Sequence, residues 1–415
     1  MDLRDVEHDL RRVLHDRSTP GTAVPDPVAG VHAGMRRRRR NQRVRVAASA
    51  MSVVALVGGL AVAVQPHHTS TQVPTTLVHN VPAGFRITDL TFVSATRGYA
   101  LGTVACPDGK RCTVLLQTDT ATDSWARVAA PLVPLGCGSG SCVQSLRFVD
   151  DGIGDEVGYA YGPGLLVFRN GGWSAEHVGA PVEALEAARA DGVVRVLARP
   201  GGGHLVQRAT VGHDDWTTVL DIAAPTHSAI LRRQGNRLVL ATYNNHDTTE
   251  SDVSDLRYSL DGGATWTKAA HNPCDVDAKL ASVTLGRGPD VVVLCDRRAA
   301  GAGGYVRLSI DNGTTFAAPV ALPRSLVARQ LSAPSAGGWL VVGDQGGDRV
   351  IVNSHDQGRH WRVVARQHGD TTGGGSFSGY LDNSNGHTVW WVGPDPRLVW
   401  RSTDAGGTWS AQAFR

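Results

Sequence analysis

An eight-residue pattern that returns four times in the second half of this 415-residue chain constrains the fold more than any other feature. The pattern is S-x-D-x-G-x-[TH]-[WF], and its copies begin at residues 259, 309, 354 and 402, at intervals of 50, 45 and 48 residues. The repeated positions are Ser259, Asp261, Gly263 and Trp266; Ser309, Asp311, Gly313 and Phe316; Ser354, Asp356, Gly358 and Trp361; and Ser402, Asp404, Gly406 and Trp409. A period of this length is typical of chains that stack one supersecondary unit, as solenoids and propellers do.

Each residue type in this octapeptide has a physical task. An aspartate can accept hydrogen bonds from nearby backbone N–H groups, and a glycine two places later can adopt the positive φ that a tight turn needs. The aromatic residue then opens the next strand, where its ring can be buried between neighbouring sheets. Short β-rich runs such as residues 398–401 precede the octapeptide, so we expect each copy to be the turn of a β-hairpin.

Weaker copies extend the series towards the N-terminus, around Trp125, Trp173 and Trp216. The aromatic positions then recur at intervals of 48, 43, 50, 50, 45 and 48 residues, which makes seven repeats. An apolar run, such as residues 291–294 or 389–392, precedes each aromatic residue and leaves room for a further strand. Four short antiparallel strands in each of seven repeats predict an all-β, seven-bladed β-propeller over residues 85–415.

The octapeptides and their spacing resemble those of the Asp-box (BNR-repeat) β-propellers, a group that includes sialidases and seven-bladed photosystem assembly factors. The resemblance covers residues 85–415. It implies that the boxes are structural and lie in peripheral turns, away from any active centre. Sialidases have six blades, whereas the aromatic positions of this chain indicate seven.

A sialidase-type site would need an arginine triad, a tyrosine nucleophile paired with a glutamate, and an aspartate acid. Residues 85–88, F-R-I-T, resemble the F/Y-R-I-P that marks the first arginine of that family, with threonine in place of proline. By this resemblance the candidates are Arg86 as anion ligand, Asp108 as acid and Tyr380 as nucleophile. The alternatives are an ordinary strand arginine, an aspartate in a disulfide loop and a structural tyrosine. We favour these alternatives, and therefore predict a protein that is not an enzyme and needs no cofactor.

Residues 46–64 form a run of nineteen residues without a charge, close to the roughly 20 that a helix needs to span a bilayer. Seven arginines lie between positions 36 and 45, and such clusters stay on the cytoplasmic side. We therefore expect a single-pass plasma-membrane protein with a cytoplasmic tail (1–45), a transmembrane helix (46–64), a stalk (65–84) and an extracytoplasmic propeller (85–415). A cleaved signal peptide and a buried soluble helix are the alternatives for residues 46–64.

The tail carries most of the charge imbalance. Residues 1–45 hold eleven arginines against six acidic residues, net +5, while residues 46–415 hold 30 basic and 32 acidic residues, net −2. A nearly neutral main body does not favour nucleic-acid binding. Apolar residues at helical spacing between positions 3 and 14 predict an amphipathic helix, so residues 1–20 are either a solvated tail or a docking site for a cytoplasmic partner.

All six cysteines follow the proposed span, as expected for disulfides in an oxidising compartment. We predict that Cys274 pairs with Cys295 and that the first four pair among themselves; these are Cys106, Cys112, Cys137 and Cys142. A zinc site is the alternative, but the spacings and the scattered histidines do not favour one. A polar loop, residues 244–252, holds side chains that could ligate a cation, and the alternative that we favour is an exposed loop.

Propellers present loops around a central channel, where ligands commonly bind. The sequence therefore favours a non-catalytic recognition module for a protein or a cell-envelope glycan. The alternatives are an exo-sialidase-type glycoside hydrolase and a transmembrane sensor whose cytoplasmic tail docks a regulator.

Overall fold

The computed structural model describes residues 75–120, 124–132, 144–150, 156–189, 192–223, 226, 228–243, 255–297, 303–368 and 387–414. The proposed tail, transmembrane helix and most of the stalk lie outside these ranges, as do Cys137, Cys142, Tyr380 and the polar loop at 244–252. Within the described ranges no apolar helix of membrane-spanning length occurs.

The described residues form twenty-eight strands in seven four-stranded sheets. Six sheets each contain four consecutive, antiparallel strands. Blade 1 contains β2 (Arg86–Phe92), β3 (Gly98–Ala105), β4 (Arg111–Thr118) and β5 (Ala126–Val128); blade 2 contains β6 (Ser145–Asp150), β7 (Glu156–Tyr161), β8 (Leu165–Arg169) and β9 (Gly172–Glu176); blade 3 contains β10 (Val182–Ala188), β11 (Gly192–Ala198), β12 (His204–Ala209) and β13 (Thr217–Ile222). Blade 4 contains β14 (Ser228–Gln234), β15 (Arg237–Tyr243), β16 (Asp255–Ser259) and β17 (Thr267–Lys268); blade 5 contains β18 (Ala278–Leu285), β19 (Val291–Arg297), β20 (Tyr305–Ser309) and β21 (Val320–Ala321); blade 6 contains β22 (Val327–Ser335), β23 (Gly338–Gln345), β24 (Asp348–Ser354) and β25 (Arg362–Gln367).

The seventh sheet joins the two ends of the described chain. Its strands are β26 (Val389–Val392), β27 (Leu398–Ser402), β28 (Ser410–Ala413) and β1 (Thr75–Leu77). The strand β1 pairs in parallel with β28, so this blade departs from the predicted all-antiparallel arrangement. Two further backbone hydrogen bonds continue the connection, from Val78 N to Ala413 O (3.0 Å) and from Trp125 N to His79 O (3.3 Å). The strand β1 lies within residues 65–84, the segment that is predicted from the sequence to be a stalk.

The first strand of each blade contacts the first strand of the next, from β2 through β6, β10, β14 and β18 to β22. The first strands therefore lie nearest the centre of the ring. Seven clusters of buried apolar side chains occur among the described residues, and each is built from two neighbouring blades. The cluster that joins blades 7 and 1 includes Phe85, Trp125, Trp390 and Phe414. Seven sheets and seven interfaces confirm the predicted seven-bladed propeller.

The four octapeptides have the same hydrogen bonds. In the first, Ser259 Oγ donates to Asp261 Oδ1 (2.8 Å) and accepts from Gly263 N (2.9 Å), while Asp261 accepts from Thr265 N (2.9 Å) and Thr265 Oγ1 (2.6 Å). The corresponding bonds recur at Asp311, Asp356 and Asp404. The glycines have φ of +90°, +91°, +81° and +87°, which confirms the task predicted for each of them.

The seven repeated rings follow one packing rule. Each lies against the apolar cluster that its blade forms with the preceding blade. Only Trp125 and Trp409 are buried, whereas the other five rings are half-buried, so the expectation of buried rings holds for two of the seven. The five rings are half-buried because each of them directly follows a turn at the surface. Trp266 Nε1, for example, donates to Gly263 O of its own turn (3.0 Å).

Candidate functional site

The two faces of the ring differ in what their connections contain. We call the face on which the first strand of each blade begins the entry face. The octapeptide turns of blades 4 to 6 link the third strand to the fourth and so lie on the opposite face. The turn of blade 7, between β27 and β28, lies on that face too, because its Gly406 is next to Leu340 near the start of β23. Both disulfides of the described residues are on the entry face. Cys106–Cys112 closes the connection between β3 and β4, and Cys274–Cys295, as predicted, ties the connection before β18 to the end of β19.

A pocket of about 420 Å³ opens on the entry face of blades 2, 3 and 4. The beginnings of β6, β10 and β14 and the ends of β7 and β15 bring its side chains together. This placement follows from the pairing of β6 with β7 and of β14 with β15, which sets Ser145 opposite Tyr161 and Ser228 opposite Tyr243. The described lining residues are Gln144, Ser145, Tyr161, Gly162, Pro163, Pro181, Val182, Glu183, Ser228, Ala229 and Tyr243.

A buried histidine holds the one carboxylate among the described lining residues. His204, at the start of β12, has no exposed surface, and its Nε2 lies 2.9 Å from Glu183 Oε2. Its Nδ1 lies 3.1 Å from the hydroxyl of Thr226, in the connection that leads to blade 4. Because both ring nitrogens are engaged, the imidazole has one orientation, and the Glu183 side chain is held at the pocket wall.

Beneath the pocket, the first strands of four successive blades carry charges of alternating sign: Asp89 in β2, Arg147 in β6, Glu186 in β10 and Arg232 in β14. We call these four residues the charged row. Arg147 joins three blades, with its guanidinium nitrogens 3.7 Å from Asp89 Oδ2 and 3.6 Å from Glu186 Oε1. A quarter (26%) of the Arg147 side chain is exposed although protein surrounds it, as expected for a group that lines a central channel.

The environment shifts the acidity of the charged row. Burial raises the pKa of Asp89, against the opposing effects of Arg147 and of the N–H groups of Leu146 and Leu90. Burial acts to lower the pKa of Arg147, but Tyr161, Glu186 and Asp89 together raise it above its ordinary value. Burial lowers the pKa of Arg232 and raises the pKa of both pocket tyrosines, Tyr161 and Tyr243. The row is therefore a coupled network that stabilises the guanidinium of Arg147 as a cation.

The structure places two of the sialidase-type candidates on the entry face of blade 1, outside the pocket. Arg86 begins β2 and is exposed. Asp108 lies in the Cys106–Cys112 loop, where it accepts a hydrogen bond from Lys110 N (3.0 Å), as the disulfide-loop alternative expects. Tyr380 lies outside the described residues. The proposed catalytic set is therefore not assembled among these residues, and it stays a prediction.

Sequence reasoning missed the residues that the fold does bring together. The available signal was a charged residue next to a leucine in the first strand of four successive repeats: Asp89–Leu90, Leu146–Arg147, Leu185–Glu186 and Leu231–Arg232. His204 gave no signal, because its partners are 21 and 22 residues away. No group of three or more metal-ligating side chains occurs in the part of the chain that is described.

No family model matches this chain, and no curated protein matches it. Several solved structures do match this chain. A structure described as YCF48 bound to D1 peptide is 14% identical, with 80% of this chain and 97% of that chain covered and a TM-score of 0.47. The GH74 xyloglucanase of Xanthomonas campestris is 12% identical, with 78% and 72% covered and a TM-score of 0.40. A prolyl endopeptidase is 15% identical over 79% of this chain and 49% of that chain, with a TM-score of 0.55. Of these three, the structure with a TM-score of 0.55 supports a shared fold, and at 15% identity it indicates nothing about activity.

Proposed function

We propose that this chain is a single-pass plasma-membrane protein whose extracytoplasmic Asp-box-type propeller recognises a protein segment at its entry face without catalysing a reaction. Support for the anchor comes from the uncharged run at 46–64 and the arginines before it. Support for the compartment comes from the two disulfides, since structural disulfides persist in oxidising environments. Support for recognition comes from the entry-face pocket.

One observation favours a protein over a glycan. Two aliphatic side chains on entry-face connections are almost completely exposed, Leu132 after β5 (97%) and Val276 before β18 (99%). The connection that carries Val276 is pinned by the Cys274–Cys295 disulfide. The two connections flank blades 2 to 4, which hold the pocket. Exposed aliphatic groups beside a polar pocket suit a protein interface with an apolar contact area.

The test uses the full-length chain in detergent, with a phage-displayed library of random 12-residue peptides and an array of cell-envelope glycans. We expect peptides to be enriched, and the double variant Leu132→Asp, Val276→Asp to bind them at least about tenfold more weakly, a loss of roughly 1.4 kcal/mol.

The matched control is the double variant Leu260→Asp, Ile310→Asp. It makes the same kind of change at exposed aliphatic residues of the octapeptide turns, on the opposite face. Its peptide affinity should equal that of the unmodified chain. Binding of a glycan in place of peptides, or equal losses from the two double variants, would exclude protein recognition at the entry face.

A further inference from the structure

We infer that the pocket over blades 2 to 4 binds a cationic group, the ammonium of a lysine or the guanidinium of an arginine, with Glu183 as its counter-ion. The inference rests on the proposed function, because it names the part of the protein segment that enters the pocket. Its structural basis is independent of the aliphatic side chains that favour a protein partner.

The carboxylate of Glu183 is prepared for a ligand. One of its oxygens, Oε2, is engaged by His204 at 2.9 Å, and no described residue makes a hydrogen bond to the other oxygen. When the Thr226 hydroxyl donates to Nδ1 of His204, the neutral imidazole donates its Nε2–H to Glu183. In that arrangement the carboxylate has one oxygen left to accept a hydrogen bond from a cation.

The rest of the lining suits the same ligand. Glu183 is the one charged side chain among the described lining residues. The two guanidinium groups of the charged row have other partners: Arg147 pairs with Asp89 and Glu186, and Arg232 donates to Leu231 O (2.9 Å). Glu183 therefore has no lysine or arginine partner among the described residues, and its one ionisable partner is His204.

Tyr161 and Tyr243 complete the pocket wall on either side of blade 3. Aromatic faces attract cations and also pack against the apolar stem of a lysine or arginine. A volume of about 420 Å³ exceeds that of one such side chain and leaves room for part of its backbone. A charged group held by a carboxylate between two tyrosines is a typical anchor of a protein interface.

The experiment measures binding of three small probes to the full-length chain in detergent, by isothermal titration calorimetry and ligand-observed NMR. Butylguanidinium and butylammonium represent the two cations, and butylurea is the uncharged isostere of the first. We expect the cations to bind at least about tenfold more tightly than butylurea, since hydrogen bonds to charged groups contribute about 1.5–3 kcal/mol.

In the Glu183→Gln variant the cations should bind no better than butylurea. The control is Asp221→Asn, the same acid-to-amide change in blade 3 at a side chain that is 54% exposed, pairs with Arg199 and lies outside the pocket lining. Its probe binding should be unchanged. The Glu183→Asp variant keeps the charge on a shorter stem, and should retain part of the preference for cations.

Equal affinity of the native chain for butylguanidinium and butylurea would overturn the inference without any variant having to fold. Full binding of the cations by Glu183→Gln would also overturn it. The peptide screen distinguishes this failure from that of the proposed function. Enriched peptides without a preference for lysine or arginine would refute the cation site alone, whereas cation binding without enriched peptides would refute protein recognition alone.

Discussion

Replacing Gly406 by alanine tests how closely the octapeptide turns fit against the preceding blade. Gly406 has φ +87°, and a Cβ built there would lie 2.3 Å from Leu340 Cδ2, 2.7 Å from Cδ1 and 2.9 Å from Cγ. Leu340 is in β23 of blade 6 and is only 1% exposed, so its side chain cannot move away into solvent. The new methyl group therefore has no space unless the two blades separate or Leu340 repacks.

The octapeptide of blade 5 provides the matched control. Gly313 has φ +91°, but a Cβ there would meet Val291 Cγ2 at 3.7 Å, an ordinary contact. A left-handed backbone costs an alanine roughly 1–2 kcal/mol at either position. Only Gly406→Ala adds the cost of overpacking, typically about 1–3 kcal/mol. We therefore expect Gly406→Ala to lower the free energy of unfolding by about 2–5 kcal/mol, and Gly313→Ala by about 1–2 kcal/mol.

The assay is denaturant unfolding of the two variants and the unmodified chain in the same detergent. The free energies of unfolding are compared if all three chains show the same m-value, the slope of that free energy against denaturant concentration. A double variant with Leu340→Ala completes the cycle. Because the smaller side chain makes room for the new methyl group, the two changes together should cost less than their sum. Equal destabilisation by Gly406→Ala and Gly313→Ala would refute the close approach of turn and blade.

Three further predictions concern ring closure, the disulfide and pH. Phe414→Ala should destabilise the propeller by about 3–5 kcal/mol in denaturant unfolding, although the residue is next to last, because its fully buried ring joins blades 7 and 1. Replacing both Cys274 and Cys295 by alanine should cost about 3 kcal/mol, since the bond closes a 21-residue separation; reductant should lower the melting temperature of the unmodified chain more than that of this variant, which keeps the Cys106–Cys112 bond. Hydrogen bonds from Thr315 and Ser309 lower the pKa of Asp311 from 3.8 to about 2. This group therefore adds stability above about pH 4 that is lost as the pH falls towards 2, and the difference in melting temperature between the unmodified chain and Asp311→Asn should shrink over that interval.

Each of the three has an outcome that contradicts it. Unchanged stability of the Phe414→Ala variant would mean that the propeller does not depend on the apolar interface between blades 7 and 1. Maleimide labelling of Cys295 in the native chain without reductant would contradict the disulfide. A melting-temperature difference for Asp311→Asn that stays constant from pH 6 to pH 2 would show that the carboxylate is not held by the turn.

The amino-acid sequence by itself determined the fold class and the number of repeats. Serine, aspartate, glycine and an aromatic residue sit within eight positions, and the hydrogen bonds that they make are local, so their pattern predicts the turn in any copy. The spacing of the aromatic residues gave the blade count, since each repeat must supply one sheet. The Cys274–Cys295 pair could also be predicted, because both cysteines lie within one repeat.

The tertiary structure decided what depends on contacts between distant repeats. The three residues of β1 carry no pattern that identifies their partner, and only the closed ring brings them beside β28, more than 300 positions away. The half-buried state of five of the seven rings likewise depends on how far each turn stands from the neighbouring sheet. The pocket and the charged row were decided in the same way. Glu183, His204 and Thr226 come from one strand of a blade, another strand of that blade and the connection to the next. The sequence shows which side chains are available, but the pocket and the charged row form between strands that are distant along the chain, where only the geometry of the assembled ring sets the distances.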